Sequence, residues 1–196
     1  MAKTSSIKHN HRKKALKYKI CVSGAAEIEH CAKDAVEKAE TIGRLIAEHG
    51  MVLVTGATTG IPYWAAKGCK EAGGTVIGFS PAASKAAHLR TYHLPTDYHD
   101  IIVYTGFDYS GRNLILTRSS DAIITICGRM GTLNEYTIGY EDKKPIGVLT
   151  KSGGTADIIA GIIDKSFRVS ERTIFNDDPE KLLDKIIDII IHDYKE

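Results

Sequence analysis

The chain has 196 residues, 43% of them hydrophobic and 26% charged, with a formal net charge of +2 at pH 7. That is enough for one compact domain with a sizeable core, and too mild a charge to argue by itself for a nucleic-acid partner. No run of about 18 apolar residues occurs, which excludes a membrane-spanning helix, and four scattered cysteines with no C-x-x-C pair argue against a zinc site or a redox pair.

The chain opens on MAKTSSIKHNHRKKALKYK, which holds Lys3, Lys8, Arg12, Lys13, Lys14 and Lys17 and no acid. Residues 1–17 read as a basic, disordered, solvated tail, and no apolar core follows to make it a signal peptide. Residues 18–196 read as a single domain. Lys19 to Gly24 (KICVSG) is a short buried strand. Ile28 to His49 carries a helical stripe at Ala35, Ala39, Ile42, Leu45 and Ile46, stopped by Gly50. Met51 to Gly56 is the second strand, Ile61 to Ala72 a helix, and Thr75 to Ser80 the third strand. From Pro81 to His99 the periodicity fails, which predicts a long loop with a broken helix. Asp100 to Gly106 and Asp121 to Cys127 are strands around a short helix at Gly111 to Ser119. Thr132 to Asp142 is helical, Pro145 to Thr150 the sixth strand, and Thr155 to Phe167 another helix. Thr173 to Phe175 makes a short extra strand, and Asp178 caps a closing amphipathic helix that runs to Tyr194. Alternating continuous apolar strands and helices predict an α/β, Rossmann-like, doubly wound parallel sheet of about six or seven strands, with helices on both faces.

Three strands end in glycine-bearing turns: VSGAAE, VTGATTGIP and ICGRMGT. Parallel strands share direction, so these turns gather at one edge of the sheet, where such folds bind ligands. A glycine there lets backbone N–H groups approach an anion, and the following helix start adds partial positive charge. The candidate binding residues are Gly24 from the first turn, Gly56, Thr58, Thr59 and Gly60 from the second, and Gly128, Arg129, Met130, Gly131 and Thr132 from the third. Neither a Walker loop nor a Gly-x-Gly-x-x-Gly fingerprint is present. Arg112 begins the helix that runs back to the fifth strand, and Glu135 lies in the first turn of the next helix. Arg112, Arg129, Thr132 and Glu135 are therefore expected to meet in one mouth, where the simplest role for Arg112 and Glu135 is a salt bridge between two helix starts.

At these residues the sequence resembles the LONELY GUY (LOG) family and the wider SLOG superfamily of Rossmann-like nucleotide-binding proteins. The run GRNLILTRSSDAIITICGRMGTLNE follows that family's arginine, Ser-Asp and Pro-Gly-Gly-x-Gly-Thr-x-x-Glu pattern. Gly128, Gly131, Thr132 and Glu135 fall on its places, and the VTGATTGIPYWAAKGCKEAGGTVIGFSP stretch on its glycine turn. The resemblance implies a nucleoside 5′-monophosphate held at Gly128 to Thr132. It also implies cleavage of the N-glycosidic bond by Arg112 and Glu135 as catalytic residues, and a homo-oligomer. Cys127, Arg129 and Asn113 depart from the pattern, and GRN with GTLNE looks closer to a branch that includes molybdenum cofactor carrier-like proteins. For that branch the expectation is a molybdopterin-type ligand bound without turnover. A more distant similarity, to the DNA-processing protein A core, together with the basic tail, leaves single-stranded DNA as a further, weaker alternative.

The four cysteines, Cys21, Cys31, Cys69 and Cys127, read as small buried hydrophobes of a reducing cytosol, and no metal ligand set is assigned. His88, His93 and His99 read as exposed loop histidines. Tyr104 reads as core, Tyr109 as a ring that could stack on a base, and Trp64 as packing.

Overall fold

The structure, a computed structural model, describes residues 16–166 and 172–193. Apart from its last two residues, the basic tail lies outside the described residues. Seven strands, β1 (Lys19–Gly24), β2 (Val52–Thr55), β3 (Thr75–Ser80), β4 (Ile101–Tyr104), β5 (Ala122–Ile126), β6 (Ile146–Leu149) and β7 (Thr173–Asn176), form one sheet in the order β4-β3-β2-β1-β5-β6-β7. Every neighbouring pair is parallel. The helices are α1 (Ala35–Glu48), α2 (Ile61–Glu71), α3 (Lys85–Arg90), α4 (Asp108–Ser119), α5 (Met130–Glu141), α6 (Ile159–Lys165) and α7 (Pro179–Asp193). The expected doubly wound α/β sheet is what the chain adopts.

Successive strand residues point to opposite faces, and the core divides accordingly. Ile20, Val22, Ile124 and Ile126 pack with α1, α2 and α7 on one face. Cys21, Ile123, Val148 and Leu116 pack with α4, α5 and α6 on the other. α1 and α2 approach so closely that a Cβ on Gly43 would stand 1.9 Å from the Ala65 carbonyl oxygen. Asp178 caps α7 as expected, its Oδ1 accepting from the Glu180 and Lys181 amides at 3.0 and 3.1 Å. Among the described residues no helix is long and apolar enough to cross a membrane.

The differences from the sequence reading have tertiary causes. α1 begins at Ala35, not Ile28, because residues 28–34 are tied down elsewhere: the Cys31 amide donates to Ile28 O, and the Ala32 amide to Ser152 O, both at 2.9 Å. α4 starts three residues early, at Asp108, and α5 two residues early, at Met130. The expected helix from Thr155 splits into a 3₁₀ turn (Gly154–Asp157) and α6, its expected end at Phe167 lying outside the described residues. The segment 81–99 does contain a broken helix, the six-residue α3, capped by Ser84 Oγ accepting from the Ala87 amide.

Two of the three loop histidines are internal. His88 is wholly buried, its Nδ1 2.8 Å from Ser80 Oγ and its Nε2 2.9 Å from Pro95 O. His99 places Nδ1 2.8 Å from Asp97 O and Nε2 2.8 Å from Thr55 Oγ1, which also accepts from the Ala57 amide at 3.1 Å. A carbonyl only accepts, so Nδ1 carries the proton and Nε2 takes the Thr55 hydroxyl hydrogen. Both rings hold down residues 91–99, which form no helix or strand of their own.

Burial holds the His99 ring below its ordinary value of 6.5, with the hydrogen bond to the Asp97 carbonyl acting in the other direction. The unfolded chain therefore takes up the proton first. The contribution of neutral His99 is full above that ordinary value and is lost as pH falls through it. The urea midpoint is expected to drop between about pH 7.5 and about pH 5, and His99→Gln to narrow that drop.

Candidate functional site

From the neighbours β1 and β5 the chain winds outward in opposite directions. The loops that follow them therefore face each other across a crevice at the carboxyl edge, the usual ligand position in such sheets. A cavity of about 500 Å³ opens there. Gly24 to Glu27 line it from the end of β1, Thr58 and Thr59 from the turn after β2, and Tyr92 to Leu94 from the segment after α3. Tyr109, Arg112 and Asn113 enter from α4, and Arg129, Gly131, Thr132 and Glu135 from the start of α5. The volume lies within the usual range for small-molecule sites.

Of the residues singled out from sequence, Gly24, Thr58, Thr59, Arg112, Arg129, Gly131, Thr132 and Glu135 line this cavity; Gly56, Gly60, Gly128 and Met130 do not. Gly56 serves the site indirectly. A Cβ at that position would stand 1.8 Å from Arg112 Nη1 and 2.9 Å from Cζ, so the missing side chain makes room for the guanidinium. Gly60 packs under the carbonyls of Ala25 and Ala26. Gly128 turns the chain at φ 96° against Thr132, and Met130 is 74% exposed.

Arg112 and Glu135 are both buried, with Arg112 Nη2 3.9 Å from Glu135 Oε1, at the outer limit of an ion pair. Among the described residues Arg112 otherwise makes a long contact, Nη1 to Phe79 O at 3.4 Å, and lies over the Tyr109 ring with Cζ 5.9 Å from its centroid. Most of its five N–H donors are not engaged by these contacts. Glu135 is better held. Ser23 Oγ donates to its Oε2 in a short hydrogen bond. The Asn113 carboxamide has one atom 2.8 Å from Oε1 and 2.9 Å from Tyr109 O and the other 3.0 Å from Asn134 Oδ1; with its nitrogen assigned to the acid side it donates to both Oε1 and Tyr109 O. Burial raises the Glu135 carboxyl above its ordinary value; Arg112 and the Ser23 hydrogen bond work against that rise. Ser23 and Asn113 were not among the predicted site residues. The signal for Ser23 was a hydroxyl one position before a turn glycine, on the strand face that meets α5.

At the rim, Arg129 Nη1 pairs with Glu27 Oε2 at 2.9 Å, joining the β1 and β5 loops through two well-exposed side chains. Beside it the reading of four separate, reduced cysteines is overturned. Cys31 and Cys127 are disulfide-bonded across a separation of 96 residues, while Cys21 and Cys69 are free and buried as expected. The fold brings together two residues that no local spacing connects. His30 Nε2 lies 3.3 Å from Gly128 O at the same junction, and Ser152 Oγ accepts from the Cys127 amide at 2.8 Å.

Comparison with known proteins agrees with this architecture. The model of the SLOG cluster4 family matches residues 17–183. An uncharacterized protein of Archaeoglobus fulgidus is 35% identical over 130 residues, covering 66% of this chain and 78% of that protein. A cytokinin riboside 5′-monophosphate phosphoribohydrolase of Rhodococcoides fascians is 31% identical over 99 residues, about half of each protein (50% and 48%). The structure of the molybdenum cofactor binding protein from Rippkaea orientalis superposes with a TM-score of 0.73 at 29% identity, over 90% of this chain and 99% of that one.

Two outcomes are expected. Gly56→Ala displaces the flexible end of Arg112, so it costs no more than the roughly 1–3 kcal/mol of an overpacked site, read as a denaturant midpoint, while moving the guanidinium out of the cavity. Reducing the Cys31–Cys127 bond lowers stability by about 2–4 kcal/mol, since it frees a long loop in the unfolded chain, and Cys31→Ser makes the midpoint independent of reductant.

Proposed function

We propose that this chain, which belongs to the SLOG cluster4 family, binds a nucleotide or a related phosphorylated cofactor in the cavity between the β1 and β5 loops. One observation carries this reading: unspent donors converge there. The first bond of the α5 ladder runs from the Leu133 amide to Arg129 O, so the amides of Met130, Gly131 and Thr132 precede the ladder, and Gly131 and Thr132 line the cavity. Positive potential at a helix start, with the Arg112 guanidinium opposite, suits a phosphate. Tyr109, 47% exposed and set edge-on to Tyr92 with ring centroids 5.8 Å apart, offers an aromatic face for a base or pterin ring. The name of the Rippkaea orientalis neighbour supports a cofactor of the latter kind.

Glu27 competes with such a ligand for Arg129. Exposed ion pairs of this type contribute only about 0–1 kcal/mol, so an arriving anion can replace the carboxylate. Calorimetric titration with AMP and with adenosine tests the assignment. Arg112→Ala is expected to weaken AMP binding about tenfold to a hundredfold, the value of a charge-assisted hydrogen bond, and adenosine binding much less; equal losses would count against a phosphate at Arg112. Glu27→Gln is expected to tighten AMP binding.

A second reading, hydrolysis of the N-glycosidic bond of a nucleoside monophosphate, is favoured by Glu135 standing beside Arg112 and by the name of the Rhodococcoides fascians relative. A carboxylate stabilises the oxocarbenium-like transition state of such a cleavage. We place it second because Cys127, Arg129 and Asn113 depart from the pattern of the hydrolases. Incubation with AMP separates the two. Free base that disappears in Glu135→Gln would establish the hydrolase, whereas a thermal shift without free base would leave the binding protein.

A further inference from the structure

We infer that His30, Cys31 and Cys127, once the two sulfurs are reduced, form a site for one thiophilic divalent cation of the zinc class. It would sit at the junction of the β1 and β5 loops. The ligand atoms of these three residues lie within 4.8 Å of one another, and they are the one such group of three found among the described residues. Around a tetrahedral zinc ion, with Zn–S of about 2.3 Å and Zn–N of about 2.0 Å, ligand atoms stand roughly 3.5–3.8 Å apart. Reaching that arrangement requires the sulfurs to separate and the histidine ring to close in, which side-chain rotation supplies.

The backbone beneath does not depend on the sulfur–sulfur bond. Ser152 ties both loops by itself, its carbonyl accepting from the Ala32 amide at 2.9 Å and its hydroxyl from the Cys127 amide at 2.8 Å. The cysteine Cα atoms are 5.6 Å apart. The His30 ring is held at the junction by its Nε2 contact to Gly128 O. Two thiolates and an imidazole are a borderline-soft donor set that selects zinc-like ions over magnesium or calcium. The fourth position is left to water, as in open rather than closed zinc sites.

The chemistry balances in two steps. A dithiol reductant gives two electrons and two protons to the Cys31–Cys127 bond, yielding two thiols and the reductant's own disulfide. The cation then replaces the two thiol protons, which pass to solvent, while neutral His30 contributes a lone pair. Oxidation and metal loading therefore exclude each other at these sulfurs. None of the three residues lines the anion cavity, so this site stands or falls independently of the proposed ligand.

The test uses the whole chain, reduced with a phosphine and titrated with cadmium, zinc then being added as competitor. One cadmium per chain is expected, with the ultraviolet charge-transfer absorption of a cadmium–thiolate bond, and none in the oxidised chain. Cys31→Ser, compared in the reduced state so that neither protein carries the cross-link, is expected to abolish the band. His30→Ala is expected to keep the band but weaken binding at least about tenfold. A reduced chain that keeps its helical circular dichroism and takes up no cadmium overturns the inference. So does a band that survives Cys31→Ser, which would put the metal on cysteines other than Cys31. A reduced chain that loses its helical signal and binds no cadmium also overturns it, leaving the bond as a covalent staple alone.

Discussion

The parallel pairing of β1 with β5 governs the site. Its register sets Ser23 beside Thr125 and Gly24 beside Ile126, so the two strands end level and their loops leave at the same height. From that alignment follow the reach of Ser23 to Glu135, the contact of Glu27 with Arg129, and the meeting of Cys31 with Cys127. A slip of one residue would exchange the faces of Ser23 and Val22, putting a valine beside the carboxylate and a hydroxyl into the packing of α1 and α2. Continuous apolar sequence on both strands, buried on both faces, makes such a slip costly.

The charges inside the cavity are only partly compensated. Arg112 and Glu135 are almost fully buried yet too far apart for a tight bidentate pair. Removing two ions from water for so loose a contact opposes folding. Ser23 and Asn113 offset part of this for the acid, whereas among the described residues the guanidinium has the long Phe79 contact as its only hydrogen bond. A buried cation in that condition, with α5 amides ahead of their ladder nearby, is a place where an anion gains more than it would at the surface. The guanidinium lies where the missing side chain of Gly56 leaves room, since a Cβ there would collide with it.

Sequence and structure agree where the determining forces are local or periodic. Apolar runs closed by glycine located the strands, and Asp178-Pro179 located the start of α7. The meeting of Arg112, Arg129, Thr132 and Glu135 could be argued from strand direction alone, because parallel strands gather their ends. What could not be read were consequences of distant pairing. The end of β5 places Cys127 next to a turn following β1, and nothing within either segment announces the other. His88 and His99 look like loop residues because one partner of each, Ser80 on β3 and Thr55 on β2, belongs to a strand outside the segment. α1 loses its expected residues 28–34 to a stretch tied to Ser152, more than a hundred residues away. Ser23 is one hydroxyl among many until the face it occupies is known.

The path of α4 bears on how the cavity comes into being. This helix carries the chain from β4, at one margin of the sheet, back to β5 at its centre, and the cavity draws its walls from both sides of that return. The β5–α5 unit supplies one wall of it, and no single βα unit contains the whole. Contacts so far apart in sequence close late and slowly. The cavity is therefore a product of the finished sheet, and anything bound in it would be felt at margins that it never touches.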